Sequence, residues 1–329
     1  MEPPLVAISY AVNDETRQAN LDALKDAALV VFLQDQQPSQ RPETLGRAEA
    51  LIAWRLGREL PPSQLTEAKR LRLIQFQSVG VDNVDFTAIP AGIVIADNAG
   101  AYARPMAEHV MAVTLSLAKR LPQRHAALTR GQFDQQTPSL TLEGAVCAIL
   151  GFGGIGKRTA ALMGAFGARI HAVNTSGQTT EPVEFVGTLA DLDRVLAVAD
   201  VLVISMPLTR ATRGLIGDQE LARMKPSAIL VNVARAGIID QAALYEHLRA
   251  NPDFSAGIDT WWHEPPLGED FRTDYPFFDL PNVIGSPHNS AIVAGSHAFA
   301  ARHAAANVRR YLQSRSLAGT VRREDYLTT

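Results

Sequence analysis

From end to end the chain alternates short apolar, β-branched runs with longer stretches of helical periodicity, and that alternation restricts it to parallel sheets covered by helices. The expected class is α/β. Leu5 to Tyr10, Ala28 to Leu33, Ala50 to Trp54, Leu71 to Gln77 and Ile93 to Ala96 read as five strands of a first sheet. Val146 to Phe152, Arg169 to Asn174, Asp200 to Met206, Ala228 to Val233, Ser255 to Asp259 and Asn282 to Ile284 read as about six strands of a second. A chain of 329 residues, 47% of them apolar, exceeds what one compact core usually accommodates, so two domains are expected. Arg104 to Leu121 carries Met106, Val110, Met111, Val113, Thr114 and Leu117 at helical spacing and reads as a connecting helix. Ser290 to Leu312 is Ala-rich and free of Pro, and a long helix there returns the chain to the first domain. That domain is then discontinuous, residues 1–101 with 290–329, around a second domain of residues 102–289. Gly177 to Glu184 reads as a surface loop, and Trp262 to Phe278 is long enough to suggest a functional one.

Charge and cysteine content narrow the partners. Lys and Arg number 31 against 34 Asp and Glu, a net charge of -3 that offers no field for a polyanion, so nucleic acid is not an expected partner. The start, Met1-Glu-Pro-Pro-Leu-Val-Ala, places an acid and two prolines where an export signal carries basic residues before an apolar run. Apolar stretches such as Val195 to Leu208 are interrupted, here by Asp200, Ser205 and Pro207, so no membrane partner is expected. The single cysteine, Cys147, sits in an apolar run as a small buried hydrophobe and suits a reducing cytoplasm. A soluble cytoplasmic protein is the expectation.

Gly151-Phe-Gly-Gly-Ile-Gly156 is a G-x-G-x-x-G that follows an apolar strand and opens an Ala-rich helix, Lys157 to Phe166. Gly151, Gly153, Gly154 and Gly156 let the backbone turn tightly and approach a pyrophosphate, to which the helix N-terminus presents N–H groups. The run also begins like a mononucleotide phosphate loop, Gly151, four residues, Gly156 and Lys157. It then fails as one, because Arg158 replaces the metal-binding hydroxyl and no acid ends the strand Ala199 to Ser205. A dinucleotide is therefore expected. After the next strand, where an acid would accept hydrogen bonds from the adenine ribose, stands Asn174, followed by Thr175 and Ser176. Loss of that carboxylate and the two hydroxyls favour NADP over NAD, although no Lys or Arg follows before Glu184.

Three successive strand ends carry Arg235, Glu264 and His288. Ligands of parallel sheets bind at that edge. A guanidinium grips a carboxylate through two parallel hydrogen bonds, which assigns Arg235 as the clamp for an acid substrate. Reduction of a carbonyl needs a proton, and a histidine with a pKa near ~6.5 is suited to donate it, with a carboxylate fixing its ring. His288 is then the general acid and Glu264 its partner. His109 and His263 compete for the role, but His263-Glu-Pro-Pro-Leu lacks the second His of a zinc helix, and no metal is expected.

At this point the residues resemble the D-2-hydroxyacid dehydrogenase family, and within it members like the glyoxylate/hydroxypyruvate reductases, over nearly the whole chain. The motifs recur in order: Phe76 to Asp85, Asn98 to Glu108, the glycine loop, Pro207 to Gly214, Met224-Lys-Pro, the Arg235 strand, Asp259 to Pro265 and Ser286-Pro-His288. The resemblance implies two doubly wound parallel-sheet domains, a Rossmann cofactor domain and a flavodoxin-like substrate domain, with the active site in the cleft between them. It implies that backbone N–H groups near Ser78, Val79 and Gly80 receive the substrate carboxylate. It also implies that Ile155, Met206, Pro207, Thr212, Val233, Ala234, Arg235 and Asp259 line the cofactor, and that the chain pairs as a homodimer through the cofactor domain. The implied activity is hydride transfer between NAD(P)H and C2 of a small 2-oxo or 2-hydroxy acid, glyoxylate or hydroxypyruvate first. Departures from the family pattern are Ala236 after the Arg, Asn174, Asn289 after the His, and Tyr102 at the domain junction; Arg55 and Arg104 read as ordinary surface or interdomain arginines. A dinucleotide-sensing regulator on the same fold, and a dehydrogenase of one-carbon or phosphorus oxyanions, are the competing readings.

Overall fold

The computed structural model describes residues 3–266 and 268–327. It divides into two compact units, Met1–Tyr102 with Val293–Thr329, and Ala103–Ile292. The junctions thus fall at Tyr102 and Ile292, slightly beyond the positions 101 and 289 at which the sequence pattern changes.

In the first unit β1 (Leu5–Ile8), β2 (Leu29–Phe32), β3 (Ala50–Ala53), β4 (Leu73–Phe76) and β5 (Val94–Ala96) form one sheet, order β2-β1-β3-β4-β5, every pair parallel. This is the flavodoxin-like order. β1, β3 and β4 are buried along their whole length, which explains why they read as continuous apolar runs rather than alternating ones. One face packs Val6, Ile8 and Ile52 against Leu24, Ala304 and Val308 from the helices Asp14–Leu24 and Ser296–Leu312. The other packs Leu51, Ile74 and Phe76 against Leu45, Leu56 and Leu65 from short helices. The C-terminal helix begins at Ser296 rather than Ser290, because Gly295 at φ 73 turns the chain left-handed immediately before it. Its Asn307 donates 2.7 Å to Gln75 Oε1 and 2.9 Å to the Ala318 carbonyl, so a buried amide of β4 has a partner on the returning segment.

At the end of β5, Asp97 accepts 2.8 Å from the Ala99 N–H, and burial pushes its carboxyl up to about 7 despite that hydrogen bond. In the unfolded chain the same group ionises near ~3.9. Between those values the unfolded state releases its proton and the folded state keeps it, so stability falls as pH rises from about 4 to 7 and the loss is complete above that. Asp97→Asn keeps an oxygen for Ala99 and removes the penalty. It should raise stability by about 2 kcal/mol at pH 8, part of the full linkage value because the site retains some solvent, and by almost nothing at pH 4. Thermal melts at the two pH values check this, and an equal gain at both would contradict it.

In the second unit β6 (Val146–Leu150), β7 (Arg169–Val173), β8 (Phe185–Gly187), β9 (Val201–Ile204), β10 (Ile229–Asn232), β11 (Ser255–Ile258) and β12 (Val283–Gly285) form a parallel sheet in the order β12-β11-β10-β9-β6-β7-β8. Six of its strands match the sequence pattern. β8 does not, since three residues after a polar loop carry no recognisable period, and it pairs with β7 through His171 and Phe185. The Ala103–Ala118 helix packs Val110, Val113 and Leu117 into the core that covers one face, and the helix Leu121–Thr129, which the sequence reading did not include, follows at Arg120 in the left-handed region (φ 50). β9, β6 and their neighbours reverse strand order at this point of the sheet, the switch at which such folds open a crevice beyond the strand ends. No described helix is long and apolar enough to cross a membrane.

Candidate active site

β6 is followed by Gly151, at φ 96, where a Cβ would lie 2.4 Å from the Met206 backbone nitrogen. Only glycine lets the ends of β6 and β9 approach so closely. The Ser205 hydroxyl ties them by donating 2.8 Å to the Gly151 carbonyl. Gly156 is equally constrained, since a Cβ there would stand 2.2 Å from the Gly151 oxygen. Gly153 differs: nothing lies within 4 Å of where its Cβ would be, and no side chain caps the helix Gly154–Ala165 that it opens. The loop thus has two glycines closed by packing and one facing open space beside uncapped N–H groups, which fits a pyrophosphate. Around the same edge, Thr212 donates 2.7 Å to the Pro207 carbonyl and accepts 2.8 Å from the Thr209 N–H, fixing the segment after Met206. Val233, Ala234, Met206 and Thr212 are buried walls of this edge.

Asn174 follows β7, and its Oδ1 accepts from the Ser176 N–H (3.0 Å), the Ser176 hydroxyl (3.1 Å) and the Gly177 N–H (2.7 Å). Its amide donates 2.8 Å to the Gln178 carbonyl. The side chain therefore shapes its own loop, and the Ser176 hydroxyl is turned towards it. A surface depression of about 720 Å³ lies along the helix that the glycine loop opens, against Lys157, Ala161, Arg169, Glu181 and Glu184.

Arg235, Glu264 and His288 follow β10, β11 and β12, three neighbouring strands. His288 Nδ1 lies 2.8 Å from Glu264 Oε2, and both side chains keep about 40% exposure, so the pair is formed yet reachable. The Trp261 N–H donates 3.1 Å to the other oxygen, Oε1, and orients the carboxylate. Burial acts to raise the Glu264 carboxyl, but the His288 hydrogen bond and charge, the Trp261 N–H and the nearby Arg235 charge together hold it below its ordinary value. An ionised carboxylate only accepts, so the proton between them sits on Nδ1 and the free Nε2 is the nitrogen that exchanges protons. Arg235 is half-buried; its Nη1 donates 2.7 Å to the Ala234 carbonyl, and Asn232 donates 3.0 Å to the Arg235 carbonyl.

The backbone at His288 is left-handed, φ 49, a conformation that costs a non-glycine residue roughly 1–3 kcal/mol unless its surroundings impose it. The surroundings are Asp259, 1% exposed at the end of β11. Its carbonyl receives the His288 N–H (2.8 Å), and its carboxylate receives the Asn289 N–H (3.1 Å), the Ser286 hydroxyl (2.6 Å) and, at 3.4 Å, the Ser290 N–H. Sequence reasoning placed Asp259 only along the cofactor and did not foresee this anchoring or Ser286; the legible signal was an acid closing an otherwise apolar strand. His263 points instead to Asp274, 3.0 Å away and exposed, while His109 lies 3.1 Å from the Ser286 hydroxyl. Among the described residues no three His, Cys, Asp or Glu side chains converge as a metal ion requires.

Ser78, Val79 and Gly80 belong to the first unit, at the C-terminal edge beyond β4, and are half-exposed. The Ser78 hydroxyl closes the turn by donating 2.9 Å to the Gly80 carbonyl, and the Asn98 N–H holds the Ser78 carbonyl at 2.9 Å. Tyr102 donates 3.1 Å to the Gln77 carbonyl, and Arg104 pairs with Glu108 at 3.1 Å.

Residues 111–290 match the family described as D-isomer specific 2-hydroxyacid dehydrogenase, NAD binding domain. A hydroxypyruvate reductase of Thermotoga maritima is 34% identical over 229 residues, 69% of this chain and 72% of that protein. A D-3-phosphoglycerate dehydrogenase of Methanocaldococcus jannaschii is 31% identical over 288 residues, 86% of this chain but 53% of that protein. The chain spans about half the length of the phosphoglycerate dehydrogenases it matches. Among solved structures, a D-isomer specific 2-hydroxyacid dehydrogenase family protein from Aeromonas salmonicida superposes with a TM-score of 0.75 at 26% identity, covering 98% of this chain and 99% of that one.

Proposed function

The chain belongs to the D-isomer specific 2-hydroxyacid dehydrogenase family, and from that premise we propose that it is a 2-oxo acid reductase acting reversibly at C2 of a small acid, with glyoxylate or hydroxypyruvate as leading substrates. The observation that carries this reading is the His288–Glu264 pair at 2.8 Å beside Arg235, on three adjacent strand ends. When bound, the nicotinamide dinucleotide supplies the hydride. The glycine loop Gly151 to Gly156 and its helix hold the pyrophosphate, and Met206, Pro207, Thr212, Val233, Ala234 and Asp259 wall the rest. Arg235 grips the substrate carboxylate and carbonyl, polarising the carbonyl oxygen. The N–H groups of Ser78, Val79 and Gly80 receive the carboxylate as well. As charge builds on the carbonyl oxygen, His288 Nε2 passes it a proton, while Glu264 stabilises the imidazolium through Nδ1. In the oxidative direction the same nitrogen takes the proton back.

NADP is the favoured dinucleotide: Asn174 brings no negative charge against a 2′-phosphate, and Thr175 adds a hydroxyl at the same loop. A homodimer through the cofactor-binding unit is also part of the reading, and Leu121, Leu128 and Phe133, 54%, 55% and 75% exposed, are apolar side chains of that unit for a partner to cover. Purified protein assayed with glyoxylate, hydroxypyruvate, pyruvate and phenylpyruvate, each with NADH and NADPH, tests the function. Turnover of at least one acid with a lower KM for NADPH is expected. Dinucleotide binding without turnover of any 2-oxo acid would favour the regulator instead, and a strong NADH preference would overturn the reading of Asn174.

A further inference from the structure

The turn that carries His288 is anchored on Asp259, and Asp259 is in turn reached by a hydroxyl, Ser286 Oγ, at 2.6 Å. A serine hydroxyl has one proton. With that proton committed to Asp259 Oδ1, Ser286 Oγ is left as an acceptor towards its other neighbour, His109 Nε2 at 3.1 Å. The tautomer of His109 follows: Nε2 carries hydrogen and donates. His109 Nε2 is 3.9 Å from Asp259 Oδ1, too far to bond it directly, so the serine is the necessary intermediary. His109 sits on the Ala103–Ala118 helix, whose inner face is embedded in the sheet core, and its side chain is 22% exposed. A rigid helix thereby addresses the active-site turn through one hydroxyl. Other bonds on that turn are Ser286 N–H to the Ile258 carbonyl and, from the indole side chain, Trp261 Nε1–H to the Ser286 carbonyl, both 2.9 Å.

Resting on the function proposed above, we infer that His109 and Ser286 are positioning residues for the proton donor: His109 Nε2–H fixes the Ser286 hydroxyl so that it donates to Asp259, and Asp259 then holds the left-handed turn that presents His288 to Glu264. The effect of His109 is exerted as an N–H donor of fixed direction. Side chains that place an N–H at the Nε2 position therefore substitute for it, and apolar side chains do not. Gln supplies such an N–H; Leu fills similar space without one. Two hydrogen bonds, His109 to Ser286 and Ser286 to Asp259, link the helix to the anchor of the turn and neither touches substrate, so turnover, and not substrate affinity, reports their loss.

The experiment compares wild type with His109→Leu, His109→Gln and Ser286→Ala, each checked for folding by thermal melt and for retained NADPH binding. In 2-oxo acid reduction, His109→Leu and Ser286→Ala should lower kcat about tenfold or more with substrate KM within about threefold, and His109→Gln should recover to within about threefold of wild type. In parallel, ¹⁵N NMR of the imidazoles, with assignment from His→Gln variants, should show hydrogen on His109 Nε2 in wild type and altered His288 ring signals in His109→Leu and Ser286→Ala. The NMR readout needs no turnover. If wild type reduced none of the acids, the functional reading would fail while the positioning network was still judged by the His288 signals. Unchanged His288 signals in both apolar variants, or a His109→Gln protein as impaired as His109→Leu, would overturn the inference.

Discussion

Replacing His288 by Ala should lower turnover of the accepted 2-oxo acid by about 10²–10⁴, the range over which a positioned general acid contributes, while dinucleotide affinity stays within about threefold of wild type. The separation of effects follows from the geometry. His288 hangs from the turn after β12 and meets Glu264, whereas the cradle proposed for the dinucleotide comprises Gly151 to Gly156 and the segment after β9, tied by Ser205 and Thr212. Removing the imidazole leaves those contacts in place. It also takes away the hydrogen bond and charge that do most to hold the Glu264 carboxyl down against burial, leaving the Trp261 N–H and the Arg235 charge to do so. Steady-state kinetics with NADPH, together with fluorescence titration of the dinucleotide, checks both halves. Wild-type reduction of every accepted acid by the His288→Ala protein would remove the residue from the role of proton donor.

Much of this arrangement was legible in the sequence, for identifiable reasons. Parallel strands buried on both faces read as unbroken apolar runs, so β1, β3, β4, β6, β9 and β10 announce themselves, and the charged residue that ends such a run stands out against it. Arg235 was visible in that way. The glycine loop was visible because glycine is forced where φ is 96 at Gly151 and where a Cβ would meet a carbonyl at Gly156. β8 was not visible, because three residues at the edge of a sheet, two of them half-buried and one buried, have too little period to register. The C-terminal helix was expected from Ser290 because composition permits it, but the left-handed Gly295 decides where it starts, and Ala-rich sequence carries no record of that dihedral. The support of His288 was hidden for a different reason: Asp259, Ser286 and His109 are brought together only when the connecting helix packs on the sheet, and no local spacing encodes a contact of that range. Pattern marks the strand ends that bear charged residues; the groups that hold those side chains still come from elsewhere in the chain.

The second large effect expected is at Arg235. Arg235→Lys should raise the KM for the acid and lower kcat/KM by about 10–100-fold, with NADPH affinity little changed, since one charge-assisted hydrogen bond is worth about 1.5–3 kcal/mol. The argument turns on how many donors the position must supply. In the structure Nη1 already donates 2.7 Å to the Ala234 carbonyl, and the Asn232 amide holds the Arg235 carbonyl at 3.0 Å, so the residue is braced against its own strand end. A guanidinium can keep that internal bond and still present further N–H groups in a fixed plane to a carboxylate and a carbonyl oxygen. A lysine ammonium retains the charge but not the plane. If it preserves the bond to Ala234 it reaches the substrate as a single point, and if it reaches the substrate fully it abandons the brace. The loss should therefore appear chiefly as weaker substrate engagement, and should be greater for the smallest acids, which have fewest other contacts to hold their orientation. A series of glyoxylate, pyruvate and phenylpyruvate measured against both proteins decides the point: wild-type KM and kcat in the Lys variant for all three would mean that the carboxylate is gripped somewhere other than Arg235.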